Sequence, residues 1–329
     1  MIISLTPLRM SFVGGGSDLP AFYRRFGGAV VSTAINKYIY VTVNSKFDQK
    51  IRLSYSRTEE ASSVASIRHP LVREAMKMLG IKGGIEITSI ADVPSKGTGL
   101  GSSSSFTVGL LHALHAYSGH HAGAEQLAGQ ACQIEIDRCG EPIGRQDQYA
   151  AAFGGLNYIR FNHDDSVVVE RIICDRTTIE RIQSNTLVFY TGMTRNASNI
   201  LLSQRNAMGT EKKKQKVVRR MTELAEQLRR DLQANRAETL GEIIHEGWLL
   251  KKSLTPDIST DAIDQWYGRA LKAGAVGGKL LGAGAGGFLM FQAPRERHEA
   301  VARALRGLRR VDFRFEPQGS RIIFVHHCA

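Results

Sequence analysis

Residues 94–105, PSKGTGLGSSSS, place three glycines and four consecutive serines between a β-type segment, IEITSI, and an apolar stretch, FTVGLLHALHAY. In that stretch Phe106, Leu110, Leu114 and Tyr117 recur at steps of four, four and three, the spacing of one helix face. The chain must therefore turn tightly into a helix here. Glycine allows the turn and a close approach to a ligand, and the first amides of a helix stand unpaired at the positive end of its dipole. That combination predicts an anion site, with phosphate its commonest occupant. The hydroxyls of residues 102–105 can cap the helix, donate to phosphate or ligate Mg²⁺. A serine-capped helix after an ordinary loop is the simpler alternative. The segment lacks the lysine of GxxxxGK[ST] and the order of GxGxxG, so neither the Walker loop nor the dinucleotide fingerprint applies.

Three other segments carry chemistry. PLRMSFVGGGSDLP, residues 7–20, holds Arg9 and Asp18 around three glycines, and GGKLLGAGAGGFLMF, residues 277–291, is a second glycine cluster. Alone, either could serve only close packing and turning. In EIDRCGEPIGRQDQYAAAFGG, residues 135–155, Glu135 ends one predicted helix and Asp147 begins another across a loop held by glycine and proline. Both carboxylates could face one cleft; a surface ion pair is the plainer reading of each.

At 329 residues the chain exceeds what one core usually holds, so two domains are expected. Strand patterns fall at 2–13, 29–44, 50–55 and 84–90, and helical ones at 71–79, 103–117 and 124–138, with a short helix opening at QDQYAAAFGG. From TLVFYTG onward helices dominate, at 197–205, 212–232, 236–252 and 260–273. Strands at 278–281 and 288–291, a helix at 298–308 and the strands VDFRF and RIIFV close an α+β second half. The boundary is expected between 165 and 185, giving domains 1–175 and 176–329.

The net charge of +12 admits nucleic acid, acidic membrane or small anions as partners. Its densest run, EKKKQKVVRR at 211–220, lacks aromatic residues for base stacking and continues into acid-interleaved MTELAEQLRRDL, which reads as a solvated helix face. No signal peptide is evident, and the longest uncharged apolar run, 280–294, falls short of the ~18 residues of a membrane span. A cytoplasmic protein with no nucleic-acid or membrane partner is expected. Four cysteines without CxxC spacing read as reduced thiols, and histidines 112, 115, 120, 121, 326 and 327 as core or surface residues.

Taken in order, the four segments resemble the signature motifs of the GHMP kinase superfamily, named for galactokinase, homoserine kinase, mevalonate kinase and phosphomevalonate kinase. PxxxGLGSS is matched by Pro94, Gly99, Leu100, Gly101, Ser102 and Ser103. The resemblance implies a two-domain α+β fold: an N-terminal domain like ribosomal protein S5 domain 2, a ferredoxin-like C-terminal domain, and the active site between them. It implies ATP and Mg²⁺ as cofactors. Pro94, Gly97, Gly99, Leu100, Gly101, Ser102, Ser103 and Ser104 would hold the nucleotide phosphates, Ser103 and Glu135 the metal. Asp147 would be the catalytic aspartate, with Arg9 near the attacking oxygen.

GGGSDLP, GTGLGSSSSFTVGLL, GRQDQYAAAFGG and YTGxxRxAxxIL together are similar to the sugar 1-kinases that act on D-glycero-D-manno-heptose 7-phosphate, with L-fucokinase domains as near relatives. The implied partners are ATP and a small sugar phosphate, and the implied product a heptose 1,7-bisphosphate for lipopolysaccharide, capsule or S-layer glycans; a homo-oligomer is possible. Gly14, Gly15, Gly16 and Asp18 would form the sugar-binding turn, and Gly284 would come close beside the cleft. For the 7-phosphate the first candidate is Arg195, followed by Lys96 and Arg24. Rival expectations are another GHMP sugar kinase, such as an L-fucose 1-kinase or a galactokinase-like enzyme, and a non-catalytic ligand-sensing or nucleic-acid-binding protein on the same scaffold.

Overall fold

The computed structural model describes residues 1–94, 97–193, 201–202 and 211–326. Two sheets organise them. The first has eight strands: β1 (Ile2–Val13), β2 (Gly28–Ser45), β3 (Ile51–Ser54), β4 (Thr58–Ala61), β5 (Ile85–Ala91), β6 (Leu156–Phe161), β7 (Val167–Arg171) and β12 (Arg321–Val325). Its order is β12-β1-β2-β5-β3-β4, with β6 also pairing β2 and β7 pairing β6. The second sheet is antiparallel and runs β11 (Arg309–Arg310), β8 (Thr186–Tyr190), β10 (Phe288–Gln292), β9 (Gly277–Leu280). The helices are α1 (Pro20–Phe26), α2 (Pro70–Met78), α3 (Ser102–Tyr117), α4 (Ala124–Cys132), α5 (Gln146–Phe153), α6 (Arg176–Ser184), α7 (Lys212–Gln233), α8 (Leu240–Lys252), α9 (Asp261–Lys272) and α10 (His298–Ala304).

β2 shows how the sequence sets the packing. GAVVSTAI, its first half, is buried throughout, whereas NKYIYVTVNS alternates, the pattern of a strand covered on one face. The first half pairs with β6 and the second with β5, so one long β-branched strand serves two neighbours. Helix α3 packs on β1 and β2, and its Leu110, Leu111 and Leu114 are fully buried. Burial of each such side chain stabilises the fold by about 1.5–3 kcal/mol. Ser105 donates to the Pro7 carbonyl at 2.9 Å and Ser4 to that of Gly109 at 2.7 Å, fixing α3 against β1. α8 touches β1 and β9, and so bridges the two sheets.

Several elements differ from expectation. The helix expected over 124–138 is regular only to Cys132 and then widens into a π-helical turn, Gln133–Arg138. VDFRF is not a strand apart from a single bridge of Phe315 to Ile35; the short β11 precedes it. RIIFV, read as closing the second half, pairs with β1 in the first sheet. An alternating pattern reveals a strand but not its partner. The expected helix at 236–252 starts at Leu240. Most of the one expected at 197–205 lies outside the described residues.

Candidate active site

β1 delivers Arg9, and the turn after it delivers Asp18. Arg9 is 4% exposed, and its guanidinium lies side-on to Asp147, with Nε donating to Oδ1 and Nη2 to Oδ2, both at 2.7 Å. Its Nη1 donates to the Gly99 carbonyl at 2.7 Å, while its backbone amide donates to the Leu100 carbonyl at 3.1 Å. One residue therefore links the phosphate-type loop to the carboxylate of α5. Two parallel bonds of this kind fix orientation as well as charge.

The loop itself is tightly constrained. Gly97, Gly99 and Gly101 have φ of 69°, 75° and 74°, and Gly101 is the residue from which α3 starts. A Cβ on Gly101 would lie 3.3 Å from Asp147 Oδ2, so the aspartate abuts the loop. A Cβ on Gly282 would lie 2.2 Å from the Gly99 Cα, so the C-terminal glycine cluster presses directly on the loop. The glycine segments at 94–105 and 277–291, far apart in sequence, are in contact.

The four serines divide their work. Ser102 Oγ is 3.1 Å from Thr98 Oγ1, Ser105 holds β1, and Ser104 Oγ donates to Glu135 Oε2 at 2.8 Å. Ser103 alone of the four is exposed, its Oγ 3.3 Å from Glu135 Oε1. The Ser104 hydroxyl, expected among the phosphate-holding groups, is thus buried on Glu135, leaving its amide for that role.

Glu135 sits in the π-helical turn, 1% exposed, with Thr107 Oγ1 donating to Oε1 at 2.9 Å and Gln148 Nε2 to Oε2 at 2.5 Å. Burial lifts its carboxyl from 4.5 to about 7, against those hydrogen bonds and with help from the charge of Asp147. A carboxylate held out of water in this way lacks a countercharge. The Ser103 hydroxyl and the Glu135 carboxylate, 3.3 Å apart, are hard oxygen donors of the kind a divalent cation takes, and would be the groups to hold one. Among the described residues no cluster of three His, Cys, Asp or Glu side chains that could hold a metal ion exists.

Next to this lies a pocket lined by Arg9, Ser11, Gly15, Gly16, Asp18, Gln146, Asp147, Lys251, Lys279, Gly282 and Ala283, among others. Asp18 is 3% exposed; its Oδ1 accepts from the Gly16 amide at 2.8 Å and its Oδ2 from the Gln146 amide at 3.3 Å. Burial, then the nearby Asp147 charge, raises its carboxyl above the usual range. Gly144 packs on it so closely that a Cβ would lie 1.9 Å from Oδ2.

Not every expected site residue is here. Gly14 packs under Ala29, and Gly284 packs against Ile258 rather than lining the pocket. Pro94 is exposed and Leu100 is a core residue, 3% exposed. Arg24 points outward and pairs with Asp165 at 2.8 Å. Arg195 and Lys96 lie outside the described residues. Lys251 and Lys279 went unremarked in the sequence, although Lys279 lies within GGKLLGAGAGG; each reads there as an ordinary cation.

Family models for the GHMP kinases N terminal domain and GHMP kinases C terminal match residues 67–155 and 224–310, together more than half of the chain. The chain is 29% identical over 316 residues to the D-glycero-alpha-D-manno-heptose 7-phosphate kinase of Campylobacter jejuni, covering 92% of each. It is 26% identical to the galactokinase of Pyrococcus furiosus, covering 91% of each. Among solved structures, a D-glycero-D-manno-heptose 1-phosphate kinase from Bacteroides thetaiotaomicron superposes with a TM-score of 0.82 at 26% identity, over 99% of this chain and 100% of that one.

Proposed function

The chain belongs to the GHMP kinase family and is a phosphotransferase acting on a sugar hydroxyl, and from that premise we propose that it is an ATP-dependent sugar 1-kinase whose acceptor is D-glycero-D-manno-heptose 7-phosphate. The product would be the 1,7-bisphosphate, made in the cytoplasm for activated heptose in lipopolysaccharide, capsule or S-layer glycans. The observation that carries this reading is the placement of Asp147 between the glycine-serine loop and the pocket that holds Asp18.

ATP would supply the phosphoryl group, and a divalent cation held by Ser103 and Glu135 would supply neutralising charge for its oxygens. The chain's part is positioning and charge stabilisation. Amides of residues 97–103 would hold the phosphate oxygens, and Ser103 and Glu135 the cation. Asp147, fixed by Arg9, would accept the hydrogen bond of the anomeric hydroxyl, and Arg9 would balance the charge that develops there. Gly15, Gly16 and Asp18 would face the sugar, the carboxylate taking ring hydroxyls. Arg195 remains the sequence-derived candidate for the 7-phosphate.

A coupled ADP-release assay over a panel of sugars and sugar phosphates tests the assignment. Preference for heptose 7-phosphate supports it; preference for L-fucose or galactose replaces it with the neighbouring reading, which the fucokinase and galactokinase relatives keep alive. A nucleic-acid role draws less support. The basic run opens α7, where Lys214 pairs with Glu211, and Arg220 with Glu223 and Glu246.

A further inference from the structure

Lys251 and Lys279 are nearly buried, at 8% and 7% exposure, yet both line the acceptor pocket. They reach it from different elements, Lys251 from the last turn of α8 and Lys279 from β9. Lys251 Nζ donates to the Gly282 carbonyl. Lys279 Nζ donates to the Ser11 and Phe12 carbonyls at 2.8 and 3.0 Å. An ammonium carries three N–H groups. Among the described residues, two on Lys251 and one on Lys279 are therefore left without an acceptor.

Ser11 stands two residues beyond Arg9 on β1, so its side chain shares the face from which Arg9 enters the site. It is 6% exposed and lines the pocket, and its hydroxyl has no partner among the described residues. Buried hydroxyls are normally hydrogen-bonded, so one left open in a pocket whose lining also carries two ammonium groups is available to a ligand.

The charges agree. Arg9 is engaged by Asp147, and Asp18 by two backbone amides. Lys251 and Lys279 have no carboxylate hydrogen bond or ion pair among the described residues, and they push on each other and on Arg9. Burial, then the charge of Arg9, pulls Lys251 down to about 8 against the attraction of Asp18 and Asp147, while burial and the charges of Lys251 and Arg9 pull Lys279 well below the usual lysine range. A sugar hydroxyl is both donor and acceptor and would want an acceptor beside it. The groups left open here are three ammonium N–H donors, the Ser11 hydroxyl and one acceptor, Gln146 Oε1; donors outnumber the acceptor, which suits a ligand group that mainly accepts and carries negative charge.

We infer that Lys251, Lys279 and Ser11 form a seat for a phosphate group within the acceptor pocket. This deepens the sugar-kinase reading and rests on it. The phosphate has two sources of the same chemistry: the ester carried by the acceptor, or the phosphoryl group in transit. Lys251 is tied to Gly282, which presses on the nucleotide loop, while Lys279 is tied to β1 further along the pocket.

The deciding measurement is calorimetric binding of inorganic phosphate to the full-length protein saturated with MgADP, which fills the nucleotide cradle. Lys251→Met and Lys279→Met should each weaken phosphate binding by about tenfold or more, and Lys251→Arg should recover most of the loss. Met keeps the stem but removes the donor to the Gly282, Ser11 and Phe12 carbonyls, so melting is compared first, and Lys251→Gln and Lys279→Gln, which retain an N–H donor, serve as second variants. If both Met variants bind phosphate as tightly as the unmodified protein, the seat does not exist.

Turnover then separates the sources. A Met variant that loses preference for heptose 7-phosphate over unphosphorylated heptose assigns the seat to the ester. Equal loss of kcat with both sugars and unchanged KM assigns it to the group in transit. If the unmodified protein accepts neither heptose, the proposed substrate fails, while the phosphate titration still decides the role of the lysines.

Discussion

Arg9 and Asp147, 138 positions apart in sequence, meet through two hydrogen bonds of 2.7 Å, and the remaining terminal nitrogen of Arg9 grips the Gly99 carbonyl. The Asp147 carboxylate and the glycine-serine loop are thus registered to one another by a single side chain. Substitution of Arg9 would disturb both, whereas substitution of Asp147 leaves the Gly99 contact in place.

Asp147→Asn should accordingly lower kcat by at least about a hundredfold with modest change in the KM for ATP, the scale at which a positioned acid–base group usually contributes. Steady-state kinetics on the folded variant checks this. Near-normal turnover would remove Asp147 from the chemistry.

Glu135→Gln should raise the Mg²⁺ concentration needed for half-maximal activity, measured by metal titration; an unchanged titration would refute the ligand assignment. The same variant tests the electrostatics. Because burial lifts Glu135 from 4.5 to about 7, the folded chain keeps a proton that the unfolded chain releases between those values. Its contribution to stability is present below about 4.5 and is lost as pH rises through about 7, on the order of 3 kcal/mol in the absence of metal. Urea midpoints at pH 5 and pH 8 should therefore fall further in the unmodified protein than in Glu135→Gln. Equal falls would show that the carboxyl is not held this way.

Gly282→Ala places a methyl 2.2 Å from the Gly99 Cα at a φ of 81°. The two glycine loops would have to separate, costing about 1–3 kcal/mol of stability. Thermal melting should show the loss, and the KM for ATP should rise severalfold. A variant that melts and binds ATP normally would mean the loops do not depend on this contact.

Arg24→Ala provides the contrast. Arg24 is half exposed and its partner is Asp165, outside the pocket. Stability should change by less than about 1 kcal/mol and the acceptor KM should not move. A selective rise in the KM for a phosphorylated sugar would return Arg24 to the site.

The glycine-serine segment and the helix behind it were legible because clustered glycines and hydroxyls depart from ordinary composition, whereas Asp18, Glu135 and Asp147, singled out beside turns and helix breaks, read alone as surface acids and took their expected roles from the family pattern. Arg9 stood out only through the family pattern. Lys251 and Lys279 were hidden because the feature that matters, burial, is set by which strand faces which helix. Lys251 ends a helix in LLKK, where a cation ordinarily complements the dipole. The partner of RIIFV was hidden for a related reason. Alternation reports that a strand has two faces, and β1 becomes its neighbour only through long-range pairing.

The widened turn at Gln133–Arg138 has an unexpected bearing on engineering. Removing one residue there would restore regular α-helical winding, a change that backbone regularity alone would recommend. Each residue advances an α-helix by about 100°, so the deletion would rotate neighbouring side chains around the axis and carry the carboxylate away from α3. Straightening the winding would thus cost both the buried hydrogen bonds of Glu135 and turnover, and the irregular turn is the shape that this carboxylate requires.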